Sequence, residues 1–264
     1  MESNKDKLIE KFKEIANKKY IEGVNRSDGA IGNTFEKELG KVNDSMFFPD
    51  YEGIEIKCTG RFSNYPVTLF GVTFDGPTFP EIYRLIEKYG LPDKDYPEKK
   101  VIFAHISYDS YEFLYNDNYI FKLDIDLSQE KIYLQVYDKY HNLIERESFV
   151  YLWSIYNHIN TKLNYLALVF ASKKKMFDMN YYRYYKMMIY RLKSYDNFLE
   201  QIKKGTFDIR IIARLTKFGN DTSRYRNKGL VFALKKELFD RVFNLEYVCD
   251  FDSNQEYYLN NIKD

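Results

Sequence analysis

Long apolar runs, cysteines and histidines are scarce in this chain of 264 residues. No stretch approaches the roughly 18 consecutive apolar residues of a membrane-spanning helix, which argues against a helical membrane protein. Only Cys58 and Cys249 are present, and His105, His141 and His158 are isolated from one another. The sequence therefore predicts neither a disulfide framework nor a zinc centre, and we interpret the three histidines as core or surface residues.

Targeting segments and linkers are also missing from the sequence pattern. Residues 1–6 are charged and lack the apolar segment of a secretory signal. Together with the low cysteine content, this predicts a cytoplasmic protein. No internal repeat or low-complexity linker is visible, so a chain of this length could form one large domain or two lobes.

Charge is nearly balanced overall but unevenly distributed along the chain, which carries 40 Lys and Arg against 39 Asp and Glu. Residues 172–228 hold 15 Lys and Arg against 5 Asp and Glu, a local charge of +10. Such segregation is typical of a phosphate-binding surface, and a solvated basic face is the alternative. Residues 181–193 interleave aromatics with cations and predict a strand that could stack bases and bind phosphates, although most of its tyrosines are expected to pack in the core or on a sheet face.

Apolar periodicity predicts strands mixed with helices, and thus an α/β or α+β core. Helices are predicted over residues 4–19, 33–40, 79–89, 147–160, 194–205 and 235–243. Strands are predicted over residues 54–58, 66–74, 101–108, 119–127, 131–137, 165–171, 181–193, 207–215 and 229–234. Residues 217–228 read as a polar, basic loop between the last two strands.

Two carboxylates and an ammonium converge at one end of the strand that begins at Ile54. Glu55 and Lys57 share one face of this strand, and Asp50 lies just upstream after a proline. Side chains two apart on a strand are roughly 6.6 Å apart along its axis, so Asp50 and Glu55 could share a hard cation. Lys57 could orient the attacking water or stabilise charge on a phosphate. The alternative is an amphipathic edge strand with Glu55 and Lys57 solvated and a turn at Pro49-Asp50.

A third carboxylate, Glu36, lies in the helix predicted before this strand. Asn33 is a good N-cap, and Glu36 follows it by three residues, so Glu36 could complete a capping box. Gly40 suits the end of the helix. Glu36 could equally be presented toward Asp50 and Glu55 as part of an active site.

Two motifs in this region resemble the PD-(D/E)XK nucleases, specifically the MutH-like group that includes the MvaI/BcnI-type restriction endonucleases. They are Gly29-Ala30-Ile31-Gly32-x-x-x-Glu36-x-x-Leu39-Gly40 and Pro49-Asp50-x4-Glu55-x-Lys57. The resemblance touches most of the chain, including the Tyr-rich segment from Tyr185 to Leu192, but only these N-terminal motifs are specific.

The resemblance implies a role for each acidic residue and for the lysine. Asp50 and Glu55 would be metal ligands, Lys57 the catalytic lysine, and Glu36 a supporting carboxylate. The cofactor would be Mg²⁺, for which Mn²⁺ could substitute. The implied fold is a restriction-endonuclease-like mixed β-sheet flanked by helices, with two lobes that form a DNA-binding cleft.

The basic region would then recognise DNA. We expect a catalytic lobe over residues 1–175 and a recognition lobe over 176–264, with a soft boundary that also allows one compact two-lobed domain. Arg224 and Arg226 are predicted to read bases, since Arg bidentate to guanine is the commonest specific contact. The predicted DNA-binding residues are Arg210, Arg214, Lys217, Arg224, Arg226, Asn227 and Lys228.

The predicted function is that of a type II restriction endonuclease, which hydrolyses phosphodiester bonds in double-stranded DNA at specific sites with Mg²⁺. Its expected partners are double-stranded DNA and a methyltransferase that protects the host site without a stable complex. The resemblance also implies a monomer, and no membrane partner is expected. The alternatives are a MutH-like strand-nicking repair endonuclease and a non-cleaving, sequence-specific DNA-binding protein.

Overall fold

The computed structural model describes residues 3–41, 48–108, 110–215 and 225–258. The helices are α1 (Asn4–Asn17), α2 (Ala30–Glu38), α3 (Glu81–Tyr89), α4 (Leu152–Lys162), α5 (Tyr195–Lys203) and α6 (Phe239–Val242), the last preceded by a 3₁₀ turn over Lys236–Leu238. The strands are β1 (Ile21–Glu22), β2 (Ile54–Gly60), β3 (Val67–Val72), β4 (Leu91–Pro92), β5 (Lys100–Ile106), β6 (Leu114–Tyr115), β7 (Tyr119–Asp126), β8 (Lys131–Asp138), β9 (Leu143–Glu145), β10 (Phe149–Tyr151), β11 (Tyr165–Met176), β12 (Met179–Leu192), β13 (Asp208–Leu215), β14 (Tyr225–Leu234), β15 (Phe243–Asp250) and β16 (Gln255–Tyr258). Within the described ranges, no helix is long and apolar enough to cross a membrane.

The chain divides into two compact units, and both are discontinuous in sequence. Unit 1 comprises Met1–Val67, Ile159–Tyr195 and Glu237–Asp264, and unit 2 comprises Thr68–His158 and Asp196–Lys236. Each unit takes chain from both sides of residue 175, so neither coincides with one of the two segments expected from the sequence. The assignment of catalysis and recognition to separate parts of the chain stays a prediction.

Unit 1 is built on one mixed sheet in the order β16, β15, β12, β11, β2, with β1 also paired to β12. The predicted strands 165–171 and 181–193 are confirmed and extend into a long antiparallel hairpin. Strand β2 runs parallel to β11, with Glu55 opposite Leu166 and Lys57 opposite Leu168. Because residues 165–171 of β11 are apolar and mostly buried, they form a neighbour that fixes the register of β2.

Helices α1 and α2 cover the apolar side of this sheet. The predicted first helix is confirmed, and it begins at a capping box in which Ser3 and Asp6 exchange hydrogen bonds. Phe12 of α1 and Phe35 of α2 are fully buried, and the Phe35 ring centroid lies 5.0 Å from that of Tyr184 on β12. Burying one such ring stabilises the fold by roughly 1.5–3 kcal/mol, so these aromatic contacts hold α2 against the sheet.

The closing helix predicted over 235–243 is confirmed over residues 236–242, as a 3₁₀ turn followed by α6, but the two strands after it were not predicted. Residues Phe239–Val242 are helical, but the chain then becomes extended in β15, which pairs with β12, and returns in β16. The apolar residues around Phe239 fit a helical period only locally. From Phe243 onward the chain pairs with the distant β12, and this pairing decides the structure.

Unit 2 contains two sheets, ordered β3, β14, β13, β5, β4 and β10, β8, β7, β6, with β9 paired to β8. The predicted hairpin of 119–127 and 131–137 is confirmed as β7 and β8. The buried rings of Phe70, Phe198, Phe207 and Phe232 pack together, with centroids of Phe70 and Phe232 5.0 Å apart. This cluster joins α5 to the sheet that carries β13 and β14.

Two local predictions in unit 2 are corrected. The helix predicted over 147–160 begins later, because Phe149–Tyr151 pairs with β8 as strand β10 before α4 starts at Leu152. Residues 225–228 of the loop predicted over 217–228 are extended instead, since Tyr225–Leu234 forms one continuous strand opposite β13, and the rest of that predicted loop lies outside the described residues. This strand passes through Gly229 at a φ of +59°, where a Cβ would lie 2.1 Å from the Val72 carbonyl oxygen, so only glycine fits there.

Candidate active site

A two-residue turn folds the chain back immediately before β2. Tyr51 and Ile54 exchange backbone hydrogen bonds of 3.0 and 2.8 Å, and Glu52 and Gly53 both have positive φ. Positive φ at both central positions is the pattern of a type I′ turn, for which glycine is favoured. As a result Asp50 lies beside the strand it precedes, and its Oδ2 accepts a hydrogen bond of 3.0 Å from the Ile56 backbone N–H.

Strand β2 separates apolar and polar side chains as its alternation predicts. Ile54 and Ile56 enter the core of unit 1, and Cys58 packs against it. Glu55 and Lys57 lie on the other side, where Lys57 Nζ donates to Glu55 Oε1 at 2.5 Å. Although β2 is the last strand of its sheet in the described chain, the alternative of a solvated Glu55 is wrong, because this residue is only 3% exposed.

The two carboxylates are held differently. Asp50 Oδ1 accepts from Lys41 Nζ at 2.5 Å, and its Oδ2 is held by Ile56, so both of its oxygens are bonded. Glu55 Oε1 accepts from Lys57, but Glu55 Oε2 is buried and has no hydrogen-bond partner within residues 3–41, 48–108, 110–215 and 225–258. A buried carboxylate oxygen without a partner is costly to the fold, so this atom needs a cation or donor that the described residues do not supply.

The donor set fits a hard divalent cation. Among the residues that the structure describes, no group of three or more His, Cys, Asp or Glu side chains is arranged to hold a metal ion. The available protein ligands are therefore Asp50 and the unpartnered oxygen of Glu55. Mg²⁺ typically takes only one or two carboxylates and keeps several waters, so this pair is sufficient for it, whereas a structural zinc site would need more ligands.

Glu36 does not cap its helix. Helix α2 begins at Ala30 with Gly29 as N-cap, so Asn33 lies inside the helix, and both the Asn33 N-cap and the capping box are wrong. The half-buried Glu36 faces the other site residues. Burial raises the pKa of Glu36, the charge of Asp50 raises this pKa further, and the nearby lysines Lys41 and Lys57 oppose the shift. This environment agrees with the alternative in which Glu36 is presented toward the site.

A raised pKa makes Glu36 a cost to stability at neutral pH. Above the raised pKa, Glu36 is ionised in the folded and in the unfolded protein, and burying the anion lowers the free energy of unfolding. Below the ordinary value of 4.5, Glu36 is protonated in both, so this destabilisation is absent. We therefore expect Glu36→Gln to raise the melting temperature at pH 7.5, by a few degrees at most because Glu36 is only half-buried and solvent screens part of the penalty.

This gain should shrink as the pH falls through the raised pKa and vanish below 4.5, which calorimetric melts over a pH series would show. Glu38→Gln is the control, because Glu38 on the same helix pairs with Lys18 at 2.7 Å and its loss gives no such gain. A Glu36→Gln melting temperature below that of the wild type at pH 7.5 would contradict the assignment.

The basic residues of unit 2 meet on two adjacent strands, which we call the basic strand pair: Arg210 and Arg214 on β13, Arg226 and Lys228 on β14. Arg214 and Arg226 are directly opposite each other in the register. The guanidinium carbons of Arg214 and Arg210 lie 4.5 and 6.0 Å from the ring centroid of Phe103, so these two arginines share a face of the sheet.

The positive charges of the basic strand pair repel one another. Burial lowers the pKa of Lys228, and the charges of Arg226, Arg214 and Arg210 lower the same pKa further. Four cations held this close favour an anionic ligand. The Asn227 side chain instead accepts a hydrogen bond of 2.9 Å from the Gly229 N–H and supports the strand. Lys217 and Arg224 lie outside the described residues.

Two residues near these clusters were not predicted from the sequence. Lys41 pairs with Asp50. The only local sign of this pair in the sequence is Gly40, which allows the turn after α2 that directs Lys41 toward Asp50. Asp208 accepts hydrogen bonds from Arg210 and lies 3.2 Å from His105 Nδ1. Alternation along β13 could have placed Asp208 and Arg210 on one face, but strand position alone does not distinguish this pair from an ordinary surface ion pair.

The family model of the MvaI/BcnI restriction endonucleases matches residues 9–243. No curated protein sequence matches the chain. The solved structure of restriction endonuclease MvaI with its cognate DNA substrate is similar, with a TM-score of 0.82 and 23% identity over 93% of this chain and 98% of that one. MvaI in the absence of DNA gives a TM-score of 0.54 and 23% identity over 94% and 98%. The likeness to the MvaI structures confirms the predicted mixed fold of sheets flanked by helices, and the match to the family model identifies the family. The chain belongs to the MvaI/BcnI restriction endonuclease family and is a type II restriction endonuclease, a site-specific deoxyribonuclease.

Proposed function

We propose that this enzyme hydrolyses phosphodiester bonds of double-stranded DNA with Mg²⁺, using Asp50 and Glu55 as metal ligands and Lys57 as the catalytic lysine. The observation that carries the proposal is the buried Oε2 of Glu55, which has no hydrogen-bond partner in the described part of the chain, on a strand whose Ile56 N–H holds Asp50. Enzymes of this family use a divalent metal. Mg²⁺ is the proposed ion because two carboxylates suffice for it, and Mn²⁺ is a substitute with similar oxygen ligands.

The chain's own residues prepare the site for attack on a phosphate. When bound, the metal lowers the pKa of a coordinated water and polarises the phosphate. Glu55 Oε1 holds the ammonium of Lys57 at 2.5 Å on the same side of β2, where it orients the attacking water or stabilises charge on the phosphate. Glu36 adds a third negative charge near the ligands and supports cation binding.

The basic strand pair is proposed to bind DNA. Arg210, Arg214, Arg226 and Lys228 lie together in unit 2, whereas the proposed catalytic residues all lie in unit 1. Arg226 is proposed to read bases and Lys228 to bind a phosphate, with Asn227 in a supporting position. Lys217 and Arg224 stay predictions from the sequence, as do a monomeric state, cytoplasmic location and a cognate methyltransferase without a stable complex.

Plasmid cleavage tests the proposal directly. Purified protein is incubated with plasmid DNA and Mg²⁺, with Glu55→Ala in parallel as a control for contaminating nucleases. We expect discrete linear fragments from the wild type alone. Equal cleavage by both proteins, or no cleavage of any plasmid, would contradict the proposal. Stable nicked circles as the end product would favour a MutH-like nicking enzyme, and metal-independent, site-specific binding without product would favour a non-cleaving binder.

A further inference from the structure

A cavity of about 250 Å³ adjoins the candidate active site within unit 1. It is lined by Val24, Asn33, Lys37 and Lys41. Asn33 and Lys37 are four residues apart on α2, so their side chains lie one above the other on the same face of the helix. The cavity is thus bordered by two ammonium groups and one carboxamide, none of which belongs to the set of carboxylates and lysine described for β2.

The end of α2 directs Lys41 to this position. Gly40 has a φ of +81°, its N–H bonds to the Lys37 carbonyl at 2.9 Å, and the Lys41 N–H bonds to the Glu36 carbonyl at 3.0 Å. This pair of bonds is the arrangement of a Schellman motif, which requires a left-handed residue at Gly40. The helix therefore ends with Lys41 turned back so that it lines the cavity and reaches Asp50 at the same time.

The lining has the chemistry of an anion site. Lys37 is exposed and forms no hydrogen bond or ion pair in the described part of the chain. Lys41 is mostly buried, with 16% of its side chain exposed, and its Nζ lies 2.5 Å from Asp50 Oδ1. In the free protein this ammonium occupies the same oxygen that a metal ion bound at Asp50 would use. A metal ion at Asp50 would therefore compete with Lys41 for one carboxylate oxygen, and an ammonium displaced from Asp50 can pair with an anion that enters the cavity.

We propose that this cavity binds a backbone phosphate of the DNA duplex through Lys37 and Lys41, and that Lys41 transfers from Asp50 to this phosphate when DNA binds. The proposal rests on the proposed function, since it assigns a second phosphate to the same substrate. Asn33 can donate a further hydrogen bond from its amide. The binding of DNA and of metal is then linked. DNA draws the Lys41 ammonium away from Asp50, where it competes with the metal ion, so DNA and metal each strengthen the binding of the other by the same factor.

Metal titration of the free protein tests the competition. The variants are Lys41→Met, Lys37→Met and, as a matched control, Lys11→Met, which removes an exposed lysine of α1 that pairs with Glu14 at 2.8 Å. Mg²⁺ is titrated by calorimetry without DNA. We expect Lys41→Met to bind Mg²⁺ about tenfold more tightly than the wild type, with the other two variants unchanged. Unchanged or weaker Mg²⁺ binding by Lys41→Met would overturn the transfer.

Duplex binding in EDTA, measured by fluorescence anisotropy, tests the phosphate site. We expect Lys37→Met and Lys41→Met each to lower the affinity about tenfold, and Lys11→Met to leave it unchanged. Inorganic phosphate is titrated in parallel. If it binds at the cavity while both variants retain full duplex affinity, the cavity is a site for free phosphate and the proposal is overturned. Lys41→Gln is used in addition if thermal melts show that Lys41→Met is unfolded.

The two proposals fail in different ways. A wild-type protein that cuts plasmid, together with Lys37→Met and Lys41→Met variants that bind duplex as tightly as the wild type, leaves the proposed function intact and removes this inference. A wild-type protein that binds no duplex removes both.

Discussion

Replacing Glu55 by Gln lowers the rate of DNA cleavage by about 10³-fold or more while the fold and duplex binding persist. The amide keeps the size of the side chain but removes the charge of a residue that is 3% exposed and has one unpartnered oxygen. Loss of ~4 kcal/mol of charge stabilisation corresponds to this factor. Because an unsatisfied buried carboxylate costs stability, the melting temperature should not fall. Single-turnover cleavage, anisotropy and thermal melts measure the three quantities.

Glu52→Gln is the matched control for this change. Glu52 lies in the turn before β2, is exposed, and pairs with Lys7 at 3.2 Å at the surface. Its replacement alters the same charge three positions away and should leave the cleavage rate within about twofold, as expected for a surface ion pair. A Glu55→Gln enzyme that cuts at the wild-type rate would remove Glu55 from the site, and a variant that neither folds nor binds DNA would show a structural role instead.

Replacing Arg214 and Arg226 together by Gln weakens duplex binding and its dependence on salt. If each arginine contacts one phosphate, the slope of log affinity against log salt should decrease in magnitude by about 1.8, and affinity at moderate salt should fall by about 10–100-fold. The double variant should be at least as stable as the wild type, because Arg214 and Arg226 face each other across the strands and like charges in such pairs repel.

A salt series of anisotropy measurements makes the comparison, with Lys139→Gln and Lys203→Gln combined as the control. These two exposed lysines of unit 2 lie off the basic strand pair, so the control loses the same charge. An equal change of slope in the control would show that the effect comes from the lower net charge and not from the positions of the two arginines. Binding is then measured on a duplex that contains the mapped cleavage site and on an unrelated duplex. If the double variant loses affinity for both duplexes, the two arginines contact phosphates; if it loses affinity only for the cleavage site, they read bases.

The arrangement of Asp50, Glu55 and Lys57 could be predicted from the sequence because local geometry determines it. Alternation fixes which side of β2 each residue faces, and Gly53 permits the turn that returns Asp50 to the strand. The burial of Glu55 could not be predicted in this way. A Glu-x-Lys pair reads equally well as a solvated surface, and only the folded chain shows that one oxygen is enclosed without a partner.

The missed features depend on contacts between distant residues. Strand β15 exists because it pairs with the distant β12, and no element was predicted after residue 243. For Asn33, the local signal of a good N-cap was overridden by a helix that starts at Ala30. Lys41 reaches Asp50 across nine positions, which no periodicity indicates. These errors follow from the limited range of sequence patterns rather than from unusual residues.

The discontinuity of unit 1 affects how the nuclease is made. Strand β2 with Glu55 and Lys57 is synthesised early, whereas its neighbour β11 and the outer strand β15 follow only after most of unit 2 has left the ribosome. Until β15 is present, β12 exposes an unpaired hydrogen-bonding edge, a known template for aggregation. A chain truncated before residue 243 should therefore be an inactive and poorly soluble product, and neither unit can be excised as one uninterrupted gene segment.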